Sequence, residues 1–299
     1  MVSQADSPNP DAGVGRLLTA LLTPCDDDTG AVDFAALAPL VEHQVANDVD
    51  GLFILGTAGQ GPLLTLQERK QVADEVLRVA ANRLSVVCHV GAATTADTLE
   101  LLEAAVASGA TAVASVPPTY YSPDRQTVRE YYDALLERSA VPVYAYDNPK
   151  ATGYGFSVAE LLDLVEQGLA GVKVARPDYL YLSSLISAGI PTWTANANLN
   201  AVGFYAGARG AISTITNLAP ALFRTLHEAA ARSDLTAANA LQVRVDDFAT
   251  AVRTPIIGGL HYGAQRLGLP AGAPRRPLRL PDAGEQRAID HALKAEGLL

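Results

Sequence analysis

From Arg16 onward the chain alternates between short, almost wholly apolar runs and longer stretches in which apolar residues recur every three or four positions. The short runs lie at 17–22, 51–55, 84–90, 112–116, 141–146, 171–175, 191–194 and 211–215. They are rich in Val, Ile and Leu and bounded by Gly, Pro or Asn, the pattern of strands buried on both faces in a parallel sheet. The longer stretches, at 34–47, 66–81, 95–107, 126–137, 158–166, 180–187, 197–206 and 218–231, predict helices, with Asp33, Thr65, Ser157 and Asn217 as N-cap candidates.

Eight strands, each followed by a helix, predict an α/β fold, a (β/α)8 TIM barrel spanning residues 16–233. A doubly wound open sheet is the rival. It would carry a Gly-rich phosphate turn after the first strand, where this chain has Thr23-Pro24-Cys25. Residues 234–299, broken at Gly268-Leu269-Pro270 and across 274–281, read as a C-terminal helical extension of the same domain. Residues 1–15, polar and with two prolines, read as a flexible N-terminal tail.

Composition narrows the function. With 49% hydrophobic residues in 299, the chain can build one large core. A net charge of -10 gives no general attraction to nucleic acid or to an anionic lipid surface. Cys25 and Cys88 have no metal-ligand spacing and read as reduced core thiols. No basic start precedes an apolar run, and no apolar run is long enough to span a bilayer, so a cytoplasmic location is expected.

The chemistry begins with lysine, of which the chain has four. Lys70 lies in a charged helix start, Lys150 in a loop and Lys294 in the tail, but Lys173 sits inside the apolar strand Gly171-Val172-Lys173-Val174-Ala175. Burial disfavours the ammonium form, and a neutral amine attacks carbonyls. The bland alternative is a buried lysine paired with a carboxylate. Tyr146, at the end of the fifth strand, is placed to move protons beside that amine or else to fill the core. Gly56-Thr57-Ala58-Gly59-Gln60-Gly61-Pro62 follows the second strand and is either an anion-binding nest of backbone amides or a plain turn. The segment 117–123 presents Tyr120 and Tyr121 between prolines, as an active loop or a subunit contact. Of five histidines only His89 lies in a strand, where it reads as a core residue.

Taken in order, these motifs resemble the dihydrodipicolinate synthase/N-acetylneuraminate lyase family of class I aldolases, from about Leu17 to the C-terminus. The resemblance implies a barrel with a helical extension, assembled as a homo-oligomer, commonly a tetramer built from dimers. It implies that Lys173 forms the Schiff base, that Tyr146 and Thr57 carry protons, and that Tyr120 reaches across the tight-dimer interface. It implies further that Ala58 and Gly59 hold the substrate carboxylate through backbone amides and that Ile212 lies beside the bound keto acid. The substrates would be a 2-keto acid and an aldehyde, with no metal or organic cofactor. The departures are Gln60 for a glutamate, Ala58 for a hydroxyl residue, Asp147 for an asparagine and Ala151 for an arginine, which Lys150 replaces only in part. The patterns Gly-x-Gly-Pro-x-Leu and Pro-x-Ala-Thr-Gly look most like the archaeal-type 2-keto-3-deoxygluconate aldolases. The expected activity is therefore cleavage or formation of a 2-keto-3-deoxy sugar acid or related 4-hydroxy-2-keto acid. A dihydrodipicolinate synthase-like condensation, a keto-sugar-acid dehydration and a non-catalytic barrel with a binding role are the alternatives. Asn196–Asn198 are expected near the aldehyde.

Overall fold

The computed structural model describes residues 13–299. Eight strands form a closed, wholly parallel barrel in sequence order: β1 (Leu17–Ala20), β2 (Gly51–Ile54), β3 (Ser85–His89), β4 (Ala112–Ser115), β5 (Val143–Asp147), β6 (Gly171–Val174), β7 (Thr192–Thr194) and β8 (Gly210–Ser213). Between them run α1 (Leu37–Ala46), α2 (Leu66–Ala80), α3 (Thr95–Ala107), α4 (Arg125–Arg138), a short α5 (Pro149–Thr152), α6 (Val158–Glu166), α7 (Tyr179–Ser187) and α8 (Asn200–Ala206). After β8 come α9 (Pro220–Ala231) and the extension, α10 (Leu235–Val252), α11 (Gly258–Arg266) and α12 (Ala283–Ala295). The barrel predicted from the apolar runs is the fold; the open sheet is not.

The strands are buried on both faces, and strand alternation sorts their side chains into two layers. Leu52, Ile54, Val86, Cys88, Val113, Val143, Ala145, Val172 and Val174 pack outward against the helices. Leu18, Phe53, Val87, Ala114, Tyr144, Tyr146, Trp193 and Ile212 belong to the second cluster, inside the barrel and on through to α10 and α11. Trp193 and Tyr144 stack edge to face at 5.3 Å, and the Trp193 indole donates to the Gly15 carbonyl at 3.0 Å. Val14 is buried too, so residue 14 of the expected tail is packed into the core. Residues 1–12 of that tail lie outside the described residues.

Two N-cap expectations hold and two do not. Thr65 and Ser157 each form a full capping box, with Glu68 and Glu160 respectively. Asp33 instead accepts from Ala36 N in the turn before α1, which starts three residues later than that cap position requires. Asn217 is buried, bonding Leu22 N and the carbonyls of Ala20 and Thr214, and so ties β1 to the β8 loop. Several predicted strands overrun the observed ones; Leu21 and Leu22 stay buried after the β1 ladder has ended, and burial alone extended the apolar run.

Candidate active site

Lys173 stands on β6, register-paired with Tyr146 on β5 and Trp193 on β7, near the C-terminal ends of the strands. Only 4% of the residue is exposed. Its Nζ lies 3.8 Å from the ring centroid of Phe53 and 3.9 Å from that of Tyr146. No carboxylate pairs with it among the described residues, which disposes of the buried ion pair offered as the bland alternative. Burial drives its pKa down to about 7. Near neutral pH a large share of this amine is therefore unprotonated and nucleophilic.

The Tyr146 phenol sits at the junction of three groups. It shares a hydrogen bond with Thr57 Oγ1 at 3.3 Å, and Asn148 Nδ2 donates to it at 3.3 Å. Burial raises its pKa, while Thr57, Asn148 and Arg253 each pull it back. It is thus a neutral phenol at physiological pH, able to give and take a proton within one chain of hydrogen bonds. Thr57 is exposed, so this chain opens toward solvent. Asn148 had no sequence signal beyond its place two residues after the tyrosine.

Sequence reasoning also missed the aromatic wall. Phe53 meets Tyr146 edge to face at 5.8 Å, and His89 meets Tyr146 at 6.1 Å and Phe53 at 6.2 Å. His89 does face the interior as expected. Val116 N donates to its Nε2 at 3.3 Å, which leaves the ring proton on Nδ1. Burial first, then the charges of Arg69 and Lys173, hold its pKa well below the ordinary range, so the ring stays neutral. Arg69 fixes the strand end by donating to the carbonyls of His89 at 2.7 Å and Gly91 at 2.9 Å. These neutral rings keep water from the amine without supplying it a counter-ion.

The loop after β2 turns tightly. A Cβ on Gly61 would meet the Leu55 carbonyl oxygen at 1.9 Å, so only glycine fits there. Leu55 and Gln60 take left-handed conformations, at φ 63° and 55°. Thr23 Oγ1 donates to the Gly59 carbonyl at 2.8 Å. The N–H groups of Ala58 and Gly59 donate to no group among the described residues, so they are available to an anion.

Gln60 turns away from this nest. Its Nε2 donates to the Thr23 carbonyl at 3.0 Å and to His261 Nε2 at 3.2 Å, and its Oε1 accepts from Arg275 N at 2.6 Å. His261 Nδ1 faces the Ala271 carbonyl at 2.8 Å, which fixes the proton there and makes Nε2 the acceptor. Gln60 is therefore a fully satisfied anchor between the loop and the C-terminal extension. Arg275 reinforces it with a bidentate pair to Glu68. Gln60→Glu places oxygen against two acceptors, and the expected loss is about 2–3 kcal/mol at pH 8. His261, held down to about 4 by burial, gains a proton more readily beside a carboxylate, so the loss shrinks as pH falls toward 5. Urea midpoints at the two pH values measure this; equal losses at both would contradict it.

The remaining candidates fall in different places. Ile212, on β8 beside Leu18, is 7% exposed within the barrel cluster. Tyr120 is 88% exposed, stacks on Tyr121 and touches neither Thr57 nor Tyr146 of its own chain. Lys150 and Ala151 are exposed on α5, a four-residue helix that the sequence pattern did not reveal. Asp147 faces outward from β5, fully buried, and takes a bidentate pair from Arg176 at 2.5 and 3.0 Å. Asn196 caps a short turn after β7, and Asn198 Nδ2 donates to Asp246 of α10 at 2.9 Å.

A match to the model of the dihydrodipicolinate synthetase family covers residues 13–296. The chain belongs to the dihydrodipicolinate synthetase family. The family's curated members include an N-acetylneuraminate lyase from Rhizobium meliloti (strain 1021), 32% identical over 93% of both chains. A 4-hydroxy-tetrahydrodipicolinate synthase from Hyphomonas neptunium is 34% identical, over 94% of this chain and 98% of the relative. Among solved structures, a putative dihydrodipicolinate synthetase from Pseudomonas aeruginosa superposes with a TM-score of 0.90 at 29% identity, covering 96% of this chain and all (100%) of that one. A dihydrodipicolinate synthase from Acinetobacter baumannii complexed with pyruvate also scores 0.90, at 26% identity and with the same two coverages, 96% and 100%. As a member of the dihydrodipicolinate synthetase family the chain is an enzyme of the class I aldolase type, a carbon–carbon lyase. Among the described residues no helix is long and apolar enough to cross a membrane.

Proposed function

We propose that the protein is a pyruvate-dependent class I aldolase that cleaves or forms a 2-keto acid through an imine on Lys173. A 2-keto-3-deoxy sugar acid or related 4-hydroxy-2-keto acid is the substrate. The observation that carries this reading is the setting of Lys173: a buried amine with no carboxylate beside it, flanked by a phenol that is itself hydrogen-bonded to an exposed threonine.

The substrate carboxylate lies on the amides of Ala58 and Gly59, with the main chain of Ile212 alongside. Neutral Lys173 adds to the C2 ketone, and loss of water gives a protonated imine. As the C3–C4 bond breaks, its electron pair moves toward the iminium to form an enamine, and Tyr146 takes the C4 hydroxyl proton as the aldehyde forms. The enamine then takes a proton at C3 from solvent water, balancing the one released from the C4 hydroxyl, and water hydrolyses the iminium to release pyruvate and the free amine. Thr57 passes the phenol's proton toward solvent. Tyr120 acts in trans, closing the site of a neighbouring protomer in a cytoplasmic homodimer or homotetramer. No metal or organic cofactor takes part.

The rival within the family is condensation of pyruvate with aspartate semialdehyde, favoured by relatives named for that synthase and disfavoured by Ala151, where the resemblance places an arginine. Pyruvate release from a panel of 2-keto-3-deoxy sugar acids, run beside an aspartate semialdehyde condensation assay, separates the two. Condensation without sugar-acid cleavage would overturn the substrate assignment.

The depressed pKa of Lys173 also sets a pH profile. Imine formation needs the free amine, so trapping of pyruvate should accelerate about tenfold between pH 6 and pH 8 and then level off. A rate still climbing at pH 10 would mean an ordinary, solvated lysine.

A further inference from the structure

The exits of β5 and β6 carry a largely buried clamp that the proposed chemistry does not use. Where the ladder ends, Ala175 N donates to the Asp147 carbonyl at 2.9 Å, and beyond that rung side chains join the two strand ends. Arg176 Nε donates to Asp147 Oδ2 at 2.5 Å and Arg176 Nη2 to Oδ1 at 3.0 Å. Nη2 also donates to the Phe156 carbonyl at 2.7 Å, and Phe156 N donates to Asp147 Oδ1 at 3.3 Å. Arg176 Cζ lies 3.9 Å from the ring centroid of Tyr181 on α7. A Cβ on Gly155 would fall 2.6 Å from Nη2, so the guanidinium fills the space that a side chain there would need.

A buried ion pair is a poor source of stability. Desolvating two charges offsets most of their attraction, and a neutral pair of similar size often holds a fold as well. What a guanidinium fork on a carboxylate supplies is direction, since both bonds are made in one plane. Direction matters here because of the residues on either side of Asp147. Strand alternation turns the Asp147 carboxylate outward and the Tyr146 ring inward. Tyr146 is register-paired with Lys173, and its ring centroid lies 3.9 Å from Nζ. Asn148, the next residue, donates through Nδ2 to the phenol at 3.3 Å. Thr152 Oγ1 is bonded to the Asn148 carbonyl at 3.1 Å and to the Tyr154 carbonyl at 2.9 Å, which braces the loop between Asn148 and the clamped Phe156. Arg176 itself leaves the strand that carries Lys173. The pair therefore grips, from outside the barrel, the backbone that aims both the phenol and the amine.

We propose that Asp147 and Arg176 are positioning residues: their ion pair holds the Tyr146 phenol in register with the Lys173 amine, and so sets the rate of carbon–carbon bond cleavage without touching the substrate. The effect on cleavage rests on the aldolase reading; the hold on the phenol does not.

The test uses Arg176→Lys, which keeps the charge but loses the fork, and Asp147→Asn/Arg176→Met, which removes both charges so that neither is left buried alone. The phenol is read by carbon-13 NMR of protein labelled at tyrosine Cζ, the Tyr146 resonance being identified by its absence from Tyr146→Phe. In both variants that resonance should move toward its position in Thr57→Ala, where a hydrogen bond to the phenol is missing. Cleavage in single turnovers at saturating substrate should slow about ten- to a hundredfold, the order expected when a reacting group is misplaced by about 1 Å. Imine formation and KM should change little. In a Tyr146→Phe background the same substitutions should slow cleavage by no more than about twofold further, because the group they position is gone. An unmoved Tyr146 resonance overturns the proposal. So does equal slowing of cleavage with and without the phenol, or full cleavage by the neutral pair, since either marks a clamp that serves only the fold. If the wild type forms no imine with pyruvate, the aldolase reading falls, and the resonance alone decides whether the pair holds the phenol.

Discussion

Lys173→Met should abolish turnover and at the same time stabilise the protein by about 2 kcal/mol at pH 7. The first half follows from removing the only amine that the site holds. The second follows from linkage. In the unfolded chain Lys173 titrates near 10.5, and in the fold at about 7. Between those values the unfolded state binds more protons, so the wild type gains stability as pH rises through that window. Below about 7 the penalty for burying the ammonium is fully present. At neutral pH the shift corresponds to roughly 4 kcal/mol, of which the ring faces of Phe53 and Tyr146 return about 1 kcal/mol each. Methionine keeps the chain length and carries no charge, so it escapes the net penalty. Urea midpoints at pH 7 and 9.5 should show an advantage for the variant that narrows at the higher pH. A variant less stable than wild type at pH 7 would mean that the lysine is paired. A stable, inactive variant is the exchange expected of a site strained for chemistry.

Tyr146→Phe should leave the fold nearly unchanged and cut turnover by about 10²- to 10⁴-fold. Phenylalanine preserves the edge-to-face contacts with Phe53 and His89 and the ring face over Lys173. What goes is one hydroxyl, bonded among the described residues to Thr57 and Asn148. Its loss should cost the fold no more than about 1 kcal/mol, because Thr57 is exposed and can turn to water. Imine formation should persist more slowly, while the step that breaks the carbon–carbon bond loses its base. Single-turnover measurements separate the two steps. A fall of less than tenfold in the cleavage step would remove Tyr146 from the proton path.

Much of this could be read before any coordinates. The eight strands were legible because a parallel barrel buries both faces of each strand, and continuous apolar runs bounded by turn residues mark that condition. Lys173 was legible because an amine in such a run must either pair with a carboxylate or be held neutral. Tyr146 and Thr57 were legible only through the order of motifs, since a tyrosine in a strand reads equally well as core. Phe53 stayed hidden for that same reason, and His89, placed in the interior, passed for a simple core residue. The role of Gln60 was not legible. In the sequence it is only a glutamine where the resemblance places a glutamate; in the fold it is the anchor for His261 and Arg275, some two hundred residues away in sequence. The four residues of α5 are too few to display a helical period.

The central claim is that Lys173 carries the substrate. The most direct measurement is reduction with sodium borohydride in the presence of pyruvate, followed by intact mass and peptide mapping of the wild type and of Lys173→Arg. The account predicts a single reduced pyruvyl adduct per chain, located on Lys173 and missing from the variant. No adduct on the wild type, or one on Lys70, Lys150 or Lys294, would contradict it.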